Sequence, residues 1–212
     1  MQPKLPINDP FTPEGYSQVR PGHIANVVTN LEMVARPAAP PPAWSNGVTL
    51  DRMEKPDLDS YRALYRRIGA DWLWFSRLVM GDAELAAVLT AENVEIHVLR
   101  DGGSDIGVLE LDFRMPGECE VTFLGLAAEA QGRGLGRSLM NAAIELAWAR
   151  DISRLWLHTC TFDSPGALPF YIRSGFRPFS FQVETHPDPR LTGHLPLDAA
   201  PHVPLIQIDG TK

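Results

Sequence analysis

The chain has 212 residues, enough for one domain with elaborations, and its 44% hydrophobic and 21% charged content is typical of a globular protein with a full core. Its net charge of −7 disfavours nucleic acid and anionic membranes as partners, since neither would meet a basic surface. The sequence opens without a signal-peptide pattern and no apolar run approaches the roughly 18 residues of a membrane span, so we expect a cytoplasmic protein with no membrane partner.

An N-terminal extension is predicted for residues 1–46. The first 20 residues are rich in proline and are expected to be extended. Between His23 and Val34 the apolar residues favour a strand, which either covers a sheet edge or pairs with a second copy in a homodimer. Four prolines between Pro37 and Pro42 then predict an extended connector.

A short strand and two helices are predicted next. The residues of Val48–Met53 favour a strand. Apolar residues recur at helical spacing over Asp57–Gly69, and Asp82 would cap a second helix, Asp82–Thr90. Between the two helices, Trp72–Phe75 contains three large aromatic residues, which either line a binding pocket or anchor the core.

The remaining elements follow an order that predicts a mixed sheet. Three antiparallel strands are separated by turn-forming residues, and a strand, helix and strand in succession then predict a right-handed crossover with a parallel strand pair. The predicted strands are Val94–Arg100, Asp105–Arg114, Glu118–Leu126, Arg154–Cys160 and Arg177–Glu184, and the predicted helices are Gly136–Arg150 and Pro165–Ser174. We therefore predict an α/β domain over residues 47–185, with a mixed central sheet flanked by helices.

The C-terminal segment 186–212 is predicted to be an irregular tail with an apolar patch at Val203–Ile208. Three histidines in this segment, His186, His194 and His202, follow no metal-ligand spacing. We therefore expect these histidines on the surface, and we expect no metal site.

The two cysteines, Cys119 and Cys160, also lack a metal or redox spacing. On the predicted strands they lie about 20 Å apart, which is too far for a disulfide. Free thiols are typical of a reducing compartment, in agreement with the expected cytoplasmic location.

Three glycines follow the strand that ends at Leu126 and precede the next helix. Unpaired amide groups and the positive end of the helix dipole meet at such a turn and attract an anion such as phosphate. Two common phosphate-binding loops do not fit this sequence. The Walker loop needs a lysine and then a serine or threonine directly after Gly136, and the dinucleotide-binding pattern needs a glycine in place of Arg137. The turn is either an anion site of another kind or a glycine-rich turn without a ligand.

The spacing Gln131-x-x-Gly134-x-Gly136 resembles the Q/R-x-x-G-x-G/A signature of the GNAT superfamily of N-acetyltransferases. In that superfamily the turn holds the pyrophosphate of acetyl-coenzyme A. The order of the predicted elements agrees with the GNAT layout over roughly residues 48 to 184. The resemblance implies the GNAT fold and acetyl-coenzyme A as cosubstrate, without a metal.

A second stretch, Ala167-x-x-x-Tyr171-x-x-x-Gly175-Phe176, matches the A-x-x-x-Y-x-x-x-G-F ending of the family. The resemblance implies that Tyr171 protonates the sulfur of coenzyme A, whereas a tyrosine on an apolar helix would otherwise be a core side chain. Ser164 departs from the family pattern, because the family often has an asparagine at this position.

The resemblance also implies which residues bind the cofactor. The backbone amides of the turn would bind the pyrophosphate, Arg133 or Arg137 would add positive charge, and the glycines would let the backbone approach closely. Free backbone groups at the end of the preceding strand would pair with the pantetheine arm, and the amide of Leu126 would polarise the thioester carbonyl. The predicted cofactor-binding residues are Leu124, Leu126, Gln131, Gly132, Arg133, Gly134, Leu135, Gly136 and Arg137.

The group that accepts the amine proton has several candidates. Glu120 lies where histone-acetylating relatives carry a catalytic glutamate, and it is otherwise a solvated residue at the start of a strand. Glu110 and His158 on neighbouring strands are alternatives, and ordered water is another. Strict alternation in the strand before the turn would place on one face Glu120, Thr122, Leu124 and Leu126.

These inferences predict an N-acetyltransferase that moves an acetyl group from acetyl-coenzyme A to a primary amine by direct attack. The acceptor, a small molecule or a peptide, would bind near the first helices and Trp72–Phe75, with the C-terminal tail as a further candidate. The acidic balance slightly favours a cationic amine. Two alternatives remain: a catalytically silent acyl-coenzyme A-binding module with the same fold, and a nucleotide-binding protein.

Overall fold

A seven-stranded mixed sheet is the centre of the computed structural model, which describes residues 11–38 and 40–206. The strands are β1 (His23–Met33), β2 (Val48–Arg52), β3 (Val94–Asp101), β4 (Ser104–Asp112), β5 (Glu118–Leu126), β6 (Arg154–Cys160) and β7 (Arg177–Pro187). Their order across the sheet is β2-β3-β4-β5-β6-β1-β7, and β5 and β6 are parallel while the other neighbours are antiparallel. The predicted mixed sheet with one parallel pair is confirmed.

Four α-helices cover the two faces of this sheet: α1 (Leu58–Gly69), α2 (Asp82–Leu89), α3 (Leu135–Trp148) and α4 (Ala167–Arg173). Residues of α1 and α2 form one apolar cluster on the first face, and residues of α3 and α4 form a second cluster on the opposite face. Short 3₁₀ turns at Ala70–Trp72 and Ala128–Ala130 complete the described elements. Within the described ranges, no helix is both long and apolar enough to cross a membrane.

Some predictions concern positions that are not described. They are residues 1–10 of the extended N-terminal segment, residue 39 of the connector, and residues 207 and 208 at the end of the apolar patch; all lie outside the described residues.

The predicted first strand is present as β1, but its predicted location was wrong. β1 lies inside the sheet, because it pairs with β6 on one side and with β7 on the other. Both of its backbone edges are therefore used within the chain, and it neither covers a sheet edge nor offers an edge to a second copy. This strand of the predicted extension thus belongs to the same sheet as the strands of segment 47–185.

Two helix starts show how local chemistry sets the boundaries. The carboxylate of Asp57 caps α1, accepting a hydrogen bond from the Ser60 amide at 2.8 Å. The prediction that Asp82 caps α2 was wrong, because Gly81 takes the extended N-cap conformation and Asp82 is the first helical residue. Asp82 instead forms an ion pair with Arg62 of α1 at 2.7 Å.

A β-bulge divides β5 into two parts that face differently. Val121 lies opposite Leu111 whereas Phe123 lies opposite Glu110, so Thr122 is an extra residue in β5. The extra residue reverses the alternation, so the prediction of one continuous face was wrong. Four residues of β5 pack on the α3 and α4 side, namely Cys119, Val121, Leu124 and Leu126. Two others, Phe123 and Gly125, lie on the α1 side. By alternation before the bulge, Glu120 faces the α1 side as well.

The C-terminal tail was predicted to start at residue 186, but β7 extends to Pro187. Residues 188–206 contain no helix or strand and are packed against the α1 side of the core through Leu195, Ala199 and Val203. The guanidinium of Arg190 holds this segment in place by donating hydrogen bonds to the Asp188 carboxylate, to the Ala199 carbonyl and to the Val203 carbonyl.

His186 is buried, with 7% of its surface exposed, although a surface position was predicted. The ring of Phe75 stacks on it at 4.3 Å between centroids and removes it from solvent. His202, by contrast, is exposed, and its Nε2 lies 2.9 Å from the Phe162 carbonyl oxygen. Cys119 and Cys160 are both free thiols, as predicted.

A buried ion pair fastens the segment after α1 to the sheet. The guanidinium of Arg77 donates a hydrogen bond to the Glu110 carboxylate, which also accepts a hydrogen bond from the Tyr61 hydroxyl at 2.8 Å. The side chains of Arg77 and Glu110 are 0% and 1% exposed, so each charge depends on the other for compensation.

We expect Arg77→Ala to lower the free energy of unfolding by about 3–5 kcal/mol, because it leaves the Glu110 carboxylate buried without its cation. Arg67→Ala is the matched control, because the side chains of its ion pair with Glu129 are 45% and 53% exposed. Loss of this solvated pair should lower the free energy of unfolding much less. Urea titration followed by circular dichroism measures both. Equal losses in the two variants would contradict the role of the buried pair.

Candidate active site

A gap opens between the two parallel strands. The pairing of the two strands is limited to Glu118–Glu120 of β5 and Arg154–Trp156 of β6. Beyond these residues β6 continues to pair with β1 alone. β5 remains paired with β4 up to Leu126. The other edge of Leu124–Leu126 therefore borders a space, which we call the β5–β6 gap. The backbone groups on this edge are available to a bound molecule.

The glycine-containing turn lies at the open end of the β5–β6 gap. Gly132 and Gly134 have φ values of +72° and +79°, which glycine adopts without strain. Gly134 is the N-cap of α3, and the first hydrogen bonds of this helix come from the amides of Arg137 and Ser138 to the Gly134 carbonyl. The amides that precede Arg137 in the turn thus have no carbonyl of the helix to bind and form an anion-binding turn.

The charged and polar side chains of the turn have different surroundings. Arg133 forms an ion pair with Asp101 at 2.7 Å, whereas Arg137 is exposed, with no acidic partner in the part of the chain that the structure describes. Gln131 donates a hydrogen bond through Nε2 to the Leu126 carbonyl at 3.3 Å, and so ties the turn to the end of β5. Of the two predicted arginines, Arg137 is the one whose charge is free for an anion.

Glu120 and His158 lie together at the closed end of the β5–β6 gap. The Nδ1 atom of His158 is 3.3 Å from Oε1 of Glu120. Burial would lower the pKa of His158, but the hydrogen bond and charge of Glu120, together with the nearby charges of Asp163 and Glu184, raise it above its ordinary value. Two residues that the sequence offered as separate candidates for the base therefore form one carboxylate–imidazole pair.

Glu110, the other candidate base, has a different environment. Its carboxylate is 1% exposed and is bound by Arg77 and Tyr61. A base must be reached by its substrate, and this carboxylate is enclosed by its own partners. We therefore assign Glu110 to the core rather than to the site.

Tyr171 lies on α4, on the side of the sheet that also carries α3. Its ring packs near those of Phe170 and Phe176, with centroids 5.5 and 6.4 Å away. Burial raises the pKa of the Tyr171 phenol, and the negative charge of Asp163 raises it further. The phenol is protonated at neutral pH even at the ordinary pKa of tyrosine, and the shift is in the same direction; this is the state that a proton donor needs.

Asp163 connects these groups, although the sequence reasoning did not single it out. Its Oδ2 atom accepts hydrogen bonds from the Thr159 hydroxyl at 2.7 Å and from the Cys160 amide at 2.9 Å, just beyond the end of β6. Its charge acts on both His158 and Tyr171. The available sequence signal was an aspartate three residues after the end of a strand and before Ser164-Pro165, a pattern typical of side-chain to backbone hydrogen bonding.

No group of three or more histidine, cysteine, aspartate or glutamate side chains that could hold a metal ion is found among residues 11–38 and 40–206. The thiol of Cys160 near Asp163 has its pKa raised to about 12, mainly by burial, so at neutral pH it is not a thiolate nucleophile.

Residues 60–176, more than half of the chain, match the sequence model of the acetyltransferase (GNAT) family. None of the curated proteins matches the chain at a significant level. The matched region begins in α1 and ends at Phe176, so it contains the turn, the Glu120–His158 pair and Tyr171.

Solved structures share the fold at low sequence identity. A GCN5-related N-acetyltransferase from Sphaerobacter thermophilus is 15% identical with a TM-score of 0.56, and the match covers 79% of this chain and 52% of that one. One from Kribbella flavida is 18% identical with a TM-score of 0.52, covering 81% and 63%. An aminoglycoside acetyltransferase from an uncultured soil metagenomic sample is 18% identical with a TM-score of 0.51, covering 61% and 88%. The chain thus spans less than two thirds of the length of the first two relatives.

We expect Gly134→Ala to weaken the stabilisation of the protein by coenzyme A, because the turn holds φ at +79° and a side chain would distort the anion-binding amides. Gly103→Ala is the matched control: Gly103 has φ of +86° in the β3–β4 hairpin, and like Gly134 it has open space around its Cα. Both variants should lose about 1–2 kcal/mol of folding stability. Only Gly134→Ala should reduce the thermal shift with coenzyme A, and an equal reduction in both would contradict the site.

We expect Glu120→Gln to lower the pKa of His158, because the carboxylate charge that raises it is removed. In the parent, the interaction of protonated His158 with Glu120 stabilises the folded state. This contribution is complete at pH values below 6.5, the ordinary pKa of histidine, and it is lost as the pH rises through the raised pKa of His158 in the folded state. Nuclear magnetic resonance titration of the His158 ring measures the change. Glu118→Gln is the control, since Glu118 bonds Arg154 instead; an equal pKa in parent and Glu120→Gln would exclude the coupling.

Proposed function

The chain belongs to the acetyltransferase (GNAT) family, and from this premise we propose that it moves an acetyl group from acetyl-coenzyme A to a primary amine by direct attack. The observation that carries the proposal is the β5–β6 gap, with an anion-binding turn at its open end and the Glu120–His158 pair at its closed end. This arrangement suits a long anionic cosubstrate whose reactive end must lie beside a proton acceptor.

The residues of the gap fit acetyl-coenzyme A, which supplies an acetyl group activated as a thioester. The amides of the turn and the charge of Arg137 would hold the pyrophosphate. The free edge of Leu124–Leu126 would pair with the amides of the pantetheine arm, and the Leu126 amide would donate to the thioester carbonyl oxygen. Arg133 would contribute less than Arg137, because Asp101 already compensates its charge.

The Glu120–His158 pair would remove the proton from the amine. Direct attack needs an amine nitrogen with a free electron pair, and a carboxylate hydrogen-bonded to an imidazole can accept the proton that nitrogen loses. Tyr171, which is protonated at neutral pH, would donate its proton to the sulfur that leaves as the new amide bond forms. Both proton transfers are thus assigned to residues of the chain.

The acceptor site would lie on the α1 side of the sheet. Three carboxylates, Glu120, Asp163 and Glu184, act electrostatically on His158 from this region, which favours a cationic amine. The ring stack of Phe75 and His186 brings the end of β7 against the predicted acceptor segment. We propose a small-molecule or peptide amine as the acceptor, with no role for nucleic acid or membrane.

Tyr171→Phe tests the function together with the acid role. Purified parent protein is given acetyl-coenzyme A and a panel of amines that includes polyamines, aminoglycosides and peptides, and the released thiol is measured. We expect turnover with at least one amine, and a kcat about 10²–10⁴-fold lower in Tyr171→Phe, because the thiolate leaves without its proton donor.

This activity assay and thermal shifts with acetyl-coenzyme A and with nucleotides together separate the alternatives. Thermal stabilisation by acetyl-coenzyme A without turnover of any amine would replace the proposal with a silent acyl-coenzyme A-binding module. Stabilisation by nucleotides and none by acetyl-coenzyme A would favour a nucleotide-binding protein. Unchanged thiol release in Tyr171→Phe would exclude the acid role but leave the acetyl transfer itself intact.

A further inference from the structure

We propose that Trp74 limits the acyl donor to short chains, because its indole forms a wall across the β5–β6 gap on the α1 side of the sheet. The inference rests on the proposed acetyl transfer and deepens it by assigning the size limit of the donor to one side chain. It is carried by contacts of Trp74 with both sides of the gap.

On the β5 side, the indole lies directly against the backbone of Gly125. A Cβ atom added to Gly125 would be 2.9 Å from the Cη2 atom of Trp74 and 2.5 Å from the Cγ2 atom of Ile68. Gly125 therefore has to be glycine for the indole to approach this closely, although its φ is not in the left-handed region. Gly125 is the middle residue of the segment whose free edge borders the gap.

On the β6 side, Trp74 reaches Asp163. The indole Nε1–H donates a hydrogen bond to Oδ1 of Asp163 at 3.4 Å. The other carboxylate oxygen of Asp163 is held by the hydroxyl of Thr159 and the amide of Cys160. A single side chain thus connects β5 to the end of β6, across the space where the strands have separated.

Several contacts hold the indole in this position. Leu73, the residue before it, has φ of +55°, a left-handed conformation that is strained for a branched side chain, and is 3% exposed. The Trp74 amide donates to the Gly69 carbonyl at 2.9 Å. The rings of Tyr65 and Phe123 lie 5.6 and 5.0 Å from the indole. The wall is therefore rigid, since packing fixes it on several sides.

The position of the wall has a consequence for the donor. The anion-binding turn and Tyr171 belong to the α3 and α4 side, so the cosubstrate would enter the gap from that side and its acyl group would point towards Trp74. We therefore expect the gap to accept the methyl group of an acetyl donor, whereas each further methylene would have to displace the indole. A close-packed wall rejects an extra methylene by roughly 10–200-fold.

The test compares acetyl-coenzyme A with butyryl-coenzyme A in the parent, Trp74→Ala, Trp74→Phe and Trp148→Phe. We expect the parent to prefer acetyl-coenzyme A in kcat/KM, and Trp74→Ala to shift the ratio towards butyryl-coenzyme A by at least about 10-fold. Trp74→Phe should give a smaller shift in the same direction, because its ring cannot reach Asp163. Trp148→Phe, at the far end of α3, controls for the loss of an indole and should leave the ratio at its parent value.

The readouts distinguish failure of the inference from failure of the proposed function. If the parent transfers acetyl groups but the ratio is unchanged in a folded Trp74→Ala, the role of Trp74 is overturned and acetyl transfer stands. If the parent turns over no amine, thermal shifts with the two acyl-coenzymes A report the size limit in binding, and equal shifts for both in the parent overturn the inference. If Trp74→Ala does not fold, the milder Trp74→Phe decides by the same ratio.

Discussion

One extra residue in β5 is the constraint on which the rest of the structure depends. Thr122 interrupts the pairing with β4 and reverses the direction of the side chains that follow. If Thr122 instead took a regular place in the strand, Phe123 would point into the α3 side and Leu124 into the α1 side, and neither apolar cluster would have its present members. The bulge also lies next to Glu120, the last residue of β5 that pairs with β6. The strand thus bends at the point where the gap begins.

The two faces of the sheet have separate tasks, and Asp163 connects them. The α3 and α4 side carries the anion-binding turn and Tyr171, whereas the α1 side carries Trp74 and the Glu120–His158 pair. Asp163 lies between the faces, bound to the end of β6 and to the indole, and its charge acts on His158 and Tyr171 alike. A neutral side chain at this position would change the electrostatics of both predicted proton-transfer groups at once.

The secondary structure and the turn could be predicted from the sequence because they depend on neighbours in the chain. Apolar periodicity located the strands and helices to within a few residues, and the Gly132–Gly136 turn was found because glycine at positive φ leaves a sequence signal. The bulge at Thr122 was missed, because residues 121–126 are apolar or β-prone on both faces and the alternation carries no mark of an extra residue.

Features that depend on distant contacts could not be predicted in the same way. The burial of His186 comes from Phe75, more than a hundred residues earlier, and the segment around His186 has no periodic pattern. Glu120 and His158 were both recognised as candidates, but their pairing depends on where β5 and β6 stop being neighbours. The contacts of Trp74 with Asp163 and Gly125 likewise join parts of the chain that are far apart in the sequence.

The interior position of β1 has a consequence for how the sheet forms. β1 precedes both of its partner strands in the chain, and its contact between Val27 and Thr161 spans 134 residues. Such long-range pairing folds slowly, because a large loop must close before the contacts stabilise it. Until then β1 would expose apolar residues such as Val28 and Leu31, which become buried only in the finished sheet. The gap thus gains its final shape only after this long loop has closed and β1 supports β6.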